Sequence, residues 1–131
     1  MPSYDVKDIS AVHMEKAEEC LGDARKNIGS QSYKTAANRS YYAVFHSMRA
    51  VLAFDKFDSK KHSGVISEFR RRYIKTGIFE AEMSDIIANL FNIRGKSDYD
   101  DFFVISKAEV EEQVENAEKF VNAVKEYLQN R

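Results

Sequence analysis

Helix-breaking residues are almost absent from this chain of 131 residues. Its single proline lies at position 2, and only five glycines interrupt the rest. Because proline and glycine most strongly end or weaken helices, long helices are possible here. Apolar residues recur every three or four positions, which predicts helices over about 5–28, 32–54, 61–75, 80–94 and 106–128. No period-two alternation predicts strands. The expected fold is all-α, an up-and-down bundle of four to five helices in a single domain over residues 1–131.

Charge and cysteine content narrow the classes of partner and compartment. The formal net charge of −1 gives no overall attraction to nucleic acid, so any contact with RNA needs a local basic patch. The lone Cys20 excludes an intrachain disulfide and fits a reducing compartment. No apolar run approaches the ~20 residues that span a bilayer, and the N-terminal residues lack a secretory pattern. We therefore expect a cytoplasmic protein with no membrane partner.

Arg94 occupies a position where the fourth helical pattern calls for an apolar side chain. The preceding apolar stripe consists of Phe79, Met83, Ile86, Ile87 and Leu90. Its spacing places Arg94 inward, at the helix end just before Gly95. A guanidinium stays charged, so an inward arginine needs carboxylate, phosphate or carbonyl partners. With Asp98 and Tyr99 close by, Arg94 is either a structural ion pair that closes the helix end or the floor of a polar site.

A polar stripe runs beside the apolar face of the second predicted helix. It consists of Asn38, Tyr42, His46 and Arg49, which fall within an arc of about 80°. These side chains form hydrogen bonds, and His46 changes charge near neutral pH. One interpretation is a pocket that faces Arg94. The other is a solvated or dimer-facing strip without a ligand.

His62 begins the third predicted helix, directly after Lys60 and Lys61. A helix N-terminus with basic side chains can bind an anion, although a histidine there is often only part of a polar cap. The chain has three histidines, and none follows the Glu-x-x-His spacing of bundle di-metal sites. No cysteine or histidine spacing fits zinc, and no glycine-rich phosphate loop is present. We therefore expect no metal and no cofactor.

Three segments of the chain form a recognisable pattern: residues 38–46 (NRSYYAVFH), 61–66 (KHSGVI) and 94–100 (RGKSDYD). In this order they resemble the HEPN domain family, and the similarity extends over about residues 5–128. The resemblance implies a homodimer in which the second and fourth helices line a cleft. It also implies a prokaryotic protein that often acts beside a small nucleotidyltransferase in a toxin–antitoxin pair. Many relatives are metal-independent RNases that use an arginine followed, after four to six residues, by a histidine.

The chain departs from this family pattern at the histidine. Arg94 matches the arginine, but the later positions are Tyr99, Asp100 and Asp101. The resemblance therefore implies a dimer that binds nucleotide or RNA phosphate and acts with a nucleotidyltransferase, without the usual catalytic histidine. The candidate catalytic residues are Arg94, Tyr99 and His46. The candidate binding residues for nucleotide or phosphate are Asn38, Tyr42, Arg49, His62 and Asp98.

Two alternatives to this function stay open. The first is an active metal-independent endoribonuclease, in which Arg94 stabilises the pentacovalent phosphate and His46 or His62 replaces the missing proton shuttle. The second is a helical dimerisation module without catalysis, whose polar residues only specify the interface. An inward arginine argues against the second, because structural interfaces are depleted of charge at their centre.

Overall fold

The computed structural model describes residues 4–131, which form a bundle of α-helices. The helices are α1 (Val6–Gly29), α2 (Tyr33–Leu52), α3 (His62–Phe69), α4 (Glu82–Tyr99) and α5 (Lys107–Gln129). A 3₁₀ turn, Ala53–Asp55, follows α2, and a π-helical turn, Arg70–Ile74, extends α3. Residues 4–131 contain no strand, so the predicted all-α bundle is confirmed. Residues 1–3, which the single-domain prediction included, lie outside the described part of the chain.

Local sequence signals account for where the two long outer helices begin. At α1, the carboxylate of Asp5 accepts the backbone N–H of Asp8 at 2.9 Å. At α5, the Ser106 hydroxyl accepts the N–H of Glu109 at 3.1 Å, and Glu109 accepts the N–H of Ser106 at 3.3 Å. This reciprocal pair is a capping box, and it satisfies two backbone donors that a helix end leaves free.

The second helix lies at the centre of the bundle. It packs against α1, α3, α4 and α5, and 12 of its 20 residues are buried. Its broad apolar surface requires neighbours on several sides. The buried hydroxyls of Ser40 and Ser47 donate to carbonyls of their own helix, at 2.9 and 2.8 Å, so they add no unsatisfied group to the core. A helix buried in this way fixes the direction of every side chain that leaves its surface.

The fourth helix differs from its predicted bounds at both ends. Phe79 is buried as expected but precedes the helix, which begins at Glu82. At the other end α4 continues past Gly95 to Tyr99, so that prediction was wrong. One helical glycine costs only about 1 kcal/mol, which tertiary contacts of the last turn can offset. Among the described residues, no helix is long and apolar enough to cross a membrane.

Candidate functional site

Arg94 points inward from the penultimate turn of α4, with its side chain only 16% exposed. Its Nη2 donates a hydrogen bond to the Tyr42 hydroxyl at 3.0 Å. Its Nε lies 3.0 Å from Asp98 Oδ2, but the N–H is not aligned with that oxygen, so buried Nε has no hydrogen-bond acceptor. The guanidinium carbon also lies 5.3, 5.5 and 5.7 Å from the ring centres of Tyr41, Tyr42 and Tyr99. The arginine is therefore enclosed but incompletely hydrogen-bonded.

A second guanidinium approaches the same carboxylate through an asparagine. Asn38 Nδ2 donates to both oxygens of Asp98, at 3.2 and 3.0 Å. Asn38 Oδ1 in turn accepts hydrogen bonds from Arg39 Nε and Nη2, at 3.1 and 2.9 Å. Sequence reasoning missed Arg39, since its position lies about 100° from Asn38 around the helix. We call the set Asn38, Arg39, Tyr42, Arg94 and Asp98 the Arg94 cluster.

The Arg94 cluster carries a net positive charge, because two guanidinium groups meet one carboxylate. Burial acts to lower the pKa of Arg94, but Tyr42, Asp98 and Tyr99 more than offset this and raise that pKa above its ordinary value. Arg94 therefore stays cationic at any physiological pH. The surplus positive charge makes the cluster suited to an additional anion.

His62 borders the Arg94 cluster from the start of α3. Its Nδ1 is hydrogen-bonded to the Tyr41 hydroxyl at 2.9 Å, and its ring stacks on Phe45 with centroids 4.2 Å apart. Burial lowers the pKa of His62, and the positive charges of Arg94 and Arg49 lower it further. Burial also raises the pKa of Tyr41 well above its ordinary value, so that phenol stays protonated. At neutral pH His62 is thus a neutral imidazole beside a cationic cluster.

His46 is not placed with Arg94, although the sequence grouped them. Its Nδ1 lies 3.3 Å from the Nδ1 of His13 on α1, with ring centroids 5.5 Å apart and planes inclined by 20°. Burial lowers the pKa of both rings to about 4, and each is surrounded by cations such as Arg49 and Lys16. With both rings neutral, the Nδ1–H of one imidazole donates to the Nδ1 of the other. This half-buried pair joins α1 to α2, and the Tyr42 ring lies 6.4 Å from His46.

Arg49 and His62 line an open cavity of about 330 Å³ next to the cluster. Arg49 is paired with Asp58, at 2.7 Å through Nη2 and 3.2 Å through Nε. Burial would raise the pKa of Asp58, but hydrogen bonds from Arg49 and from the N–H of Ser59 hold it below its ordinary value. A larger cavity of about 440 Å³ lies between the start of α4 and the end of α5 and shares no residue with the Arg94 cluster.

Tyr99 and the following acids lie at the outer edge of the site. Tyr99 is 78% exposed, and only its ring face approaches Arg94. Asp100 and Asp101, at positions where the resemblance implies a histidine, are exposed on the connection to α5. Within residues 4–131, no group of three or more histidine, cysteine or carboxylate side chains could hold a metal ion. The groups available at the cluster are two guanidiniums, one carboxylate, one amide and neighbouring phenols, with the imidazole of His62 at its border.

Comparison with known proteins gives concordant matches. The model of the HEPN domain family matches residues 10–127. Two proteins of Methanocaldococcus jannaschii, each named "Putative toxin", are similar to the chain. One is 35% identical over 115 residues, covering 88% of this chain and 78% of the relative. The other is 34% identical over 124 residues, covering 95% and 92%. The crystal structure of an archaeal HEPN homologue shares the fold, with a TM-score of 0.69 and 18% identity over 95% of this chain and 98% of that one.

Proposed function

This chain belongs to the HEPN domain family, and on that premise we propose that it binds nucleotide or RNA phosphate at the Arg94 cluster. We propose further that it acts as a homodimer in the cytoplasm, with a nucleotidyltransferase partner in a system of the toxin–antitoxin type. The names of the two archaeal relatives support a toxin-like role. The absence of the family's histidine after Arg94 favours binding over cleavage by the usual route.

One observation carries the binding proposal: an enclosed guanidinium whose Nε–H has no aligned acceptor. The Asp98 carboxylate pairs with Arg94 and also accepts a hydrogen bond from Asn38. Because the carboxylate is shared, the hydrogen-bonding capacity of Arg94 is not filled. A phosphate oxygen is an acceptor of the right charge for such a donor, because charge-assisted hydrogen bonds to phosphate are strong. Tyr99 is exposed and its ring centre lies 5.7 Å from the Arg94 guanidinium carbon, so it would contact the same ligand.

The binding proposal is tested by measuring the affinity of the full chain for ATP and for a labelled single-stranded RNA oligonucleotide. Replacing Arg94→Ala removes the donor, and we expect binding to weaken by about 10- to 100-fold, since hydrogen bonds to charged groups contribute about 1.5–3 kcal/mol. The matched control is Arg25→Ala. Arg25 pairs with Glu118 at 2.9 Å on the surface, with both side chains about half exposed.

Equal loss with Arg94→Ala and Arg25→Ala would mean that net charge alone attracts the ligand, and unchanged affinity with Arg94→Ala would refute the site. Circular dichroism of each variant checks that the fold is intact. If neither ATP nor RNA binds the wild type while sedimentation shows a dimer, the alternative of a dimerisation module without catalysis gains support.

A second candidate function, a metal-independent endoribonuclease, is favoured by the position of His62. This histidine is hydrogen-bonded to Tyr41, whose ring lies 5.3 Å from the Arg94 guanidinium carbon. Its lowered pKa keeps the imidazole neutral at pH 7, the form that can accept a proton from a 2′-hydroxyl. Arg94 would then stabilise the charge that develops on the phosphate. In this proposal His62, and not His46, replaces the missing histidine.

The nuclease proposal is tested by incubating labelled RNA with the protein in the presence of EDTA. We expect His62→Gln and Arg94→Ala to abolish cleavage, whereas His46→Asn should keep it. Intact RNA with the wild-type protein would exclude this function. Cleavage that depends on His46 but not on His62 would contradict the assigned proton shuttle.

A further inference from the structure

A cavity of about 370 Å³, which we call the α1 cavity, lies between the start of α1 and the segment that follows α2. Ile9 and His13 line it from α1, and Ala53 and Phe57 line it from the other side. Of the residues that the structure describes, none from α4 lines the cavity, and Arg49 alone does so from α2. The α1 cavity therefore shares no residue with the Arg94 cluster and is not part of the cleft that α2 and α4 would line in the proposed homodimer.

The apolar walls of the α1 cavity are held in place by contacts of their own. The N–H of Phe57 donates to a carbonyl of the last turn of α2 at 3.2 Å, and the N–H of Lys56 donates to the Ala53 carbonyl at 3.0 Å. The guanidinium carbon of Arg72 lies 5.1 Å from the centre of the Phe57 ring. On α1, Ile9 remains 42% exposed although it forms part of the wall. A preformed cavity of this size with apolar walls is typical of a small-molecule site.

The ionisable side chains that line the α1 cavity leave one surplus positive charge. Arg49 and Asp58 are paired through Nη2 and Nε of the guanidinium, so their charges cancel. Lys56 adds a further positive charge, and no carboxylate within residues 4–131 lies at ion-pair distance from it. Nη1 of Arg49 also donates no hydrogen bond in this part of the chain. The lining can therefore bind one anionic group.

His13 supplies a hydrogen-bonding group that can adapt to a ligand. Its Nδ1 meets His46, whereas its Nε2 has no partner in the described part of the chain, residues 4–131. When the Nδ1–H of His46 donates to His13, the neutral His13 ring carries its hydrogen on Nε2. An anion nearby stabilises this tautomer, because an N–H then points a positive hydrogen at a negative oxygen.

We propose that the α1 cavity binds a small monocarboxylate that carries one aromatic ring. The ring packs between Ile9 and Phe57, and the carboxylate accepts hydrogen bonds from Lys56 and from Nη1 of Arg49. A second negative charge, as on a phosphate, would meet the Asp58 carboxylate without a further cation to balance it. An organic cation would add to the surplus charge, and an inorganic anion would leave the apolar walls unfilled. The site is separate from the proposed function, since the Arg94 cluster takes no part in it.

The test is calorimetric titration of the full chain with benzoate, phenylacetate and 3-phenylpropanoate, which carry one charge at increasing distance from the ring. We expect at least one of these acids to bind with a Kd below about 1 mM. The matched neutral ligand is the alcohol of the same length. It should bind at least about 10-fold more weakly, because it lacks the charge-assisted hydrogen bonds.

Two variants divide the charge of the site from its apolar wall. Lys56→Asn removes the unpaired charge and should weaken binding of the acid by about 3- to 10-fold without changing that of the alcohol. Asparagine tolerates the backbone φ of 56° at this position. Lys75→Asn is the control, because Lys75 is exposed and does not line the cavity. Ile9→Ala should weaken acid and alcohol alike, and circular dichroism checks that each variant is folded.

The ring nitrogens of His13 report where the ligand binds. In protein with ¹⁵N-labelled histidine, the acid should shift the Nε2 resonance of His13 toward that of a protonated nitrogen. Three results would each overturn the carboxylate site: no binding by any of the three acids up to about 5 mM, equal binding of acid and alcohol, or equal losses with Lys56→Asn and Lys75→Asn. Binding that leaves the His13 resonances unchanged would also overturn it.

Arg94→Ala separates the α1 cavity from the Arg94 cluster. This variant should bind the aromatic acid as the wild type does, because Arg94 does not line the cavity. If Arg94→Ala abolishes binding of the acid, the ligand occupies the Arg94 cluster and the α1 cavity is the wrong site. If neither ATP nor RNA binds the wild type while the acid binds with the expected losses, the proposed function is wrong and the carboxylate site stands.

Discussion

Acidification should destabilise this fold through the histidine pair that joins α1 to α2. Burial lowers the pKa of both His13 and His46 from 6.5 to about 4. Burial is the largest cause of this shift, the positive charges of Arg49 and Lys16 contribute to it at both rings, and Asp58 opposes it only at His13. Between about pH 6.5 and pH 4 the unfolded chain takes up protons at these rings while the folded protein does not. The stabilisation is therefore complete above pH 6.5 and is lost as the pH falls through 4.

The size of this loss follows from the two pKa values. Each pKa unit is worth about 1.36 kcal/mol, so the fall from 6.5 to about 4 corresponds to about 3 kcal/mol for one imidazole. The Nδ1 atoms lie 3.3 Å apart, so a first added proton can form a charge-assisted hydrogen bond between the rings. The pair therefore loses less than twice the single value, and we expect about 2–4 kcal/mol in total. That is a large share of the ~5–15 kcal/mol by which a domain of this kind is stable.

Urea unfolding followed by circular dichroism near pH 7.5, 6 and 4.5 measures this loss. The double variant His13→Asn/His46→Asn keeps hydrogen-bonding groups on both helices but removes the titration, so its stability should change little across this range. His62→Asn serves as the control, because the His62 pKa is also lowered but that residue lies outside the pair. It should keep most of the wild-type loss. The reasoning is wrong if wild type and double variant show the same pH dependence, or if acidification stabilises the wild type.

Two further changes in stability can be measured by the same unfolding assay. Ser106→Ala removes the capping box of α5 and should cost about 1 kcal/mol, whereas Ser32→Ala should cost far less because the Ser32 side chain makes no capping hydrogen bond to α2. Equal losses would contradict the capping argument. Phe120→Ala leaves a cavity at a fully buried site and should lower the free energy of unfolding by about 3–5 kcal/mol. The exposed control Phe102→Ala should change it by no more than about 0.5 kcal/mol. A small effect at Phe120 would mean that neighbouring side chains refill the cavity.

The spacing of apolar residues predicted the helices and their buried faces, because both follow from the sequence of a single helix without knowledge of its neighbours. The apolar residues spaced by threes and fours along α5, such as Val110, Val114 and Val121, are buried. The same arithmetic placed Arg94 inward, and its side chain is enclosed. Burial of an apolar stripe dominates the orientation of a helix in a bundle, so a polar residue in register with that stripe is carried inward with it. This much of the site could be predicted before any contact between helices was known.

Partners across helices could not be predicted, because spacing within one helix gives no distance to another. His46 meets His13 and Tyr41 meets His62 only because α1, α2 and α3 pack at particular heights and angles. Sequence reasoning therefore grouped His46 with Arg94 on the strength of a shared stripe. The predicted helix end at Gly95 failed for a different reason. Propensity is a weak preference, and the contacts that follow the glycine override it.

Gly95 makes the last turns of α4 easier to unwind than the rest of the helix. A methyl group at this position would meet no atom within 4 Å, so packing does not demand a glycine here. The residue instead lowers the free energy needed to unwind the segment that holds Asp98 beside Arg94. Uncoiling of this segment and separation of the two charges are one coupled event. In the phosphate binding that we propose, the ease of that event sets how readily the guanidinium exchanges its internal carboxylate for an incoming anion.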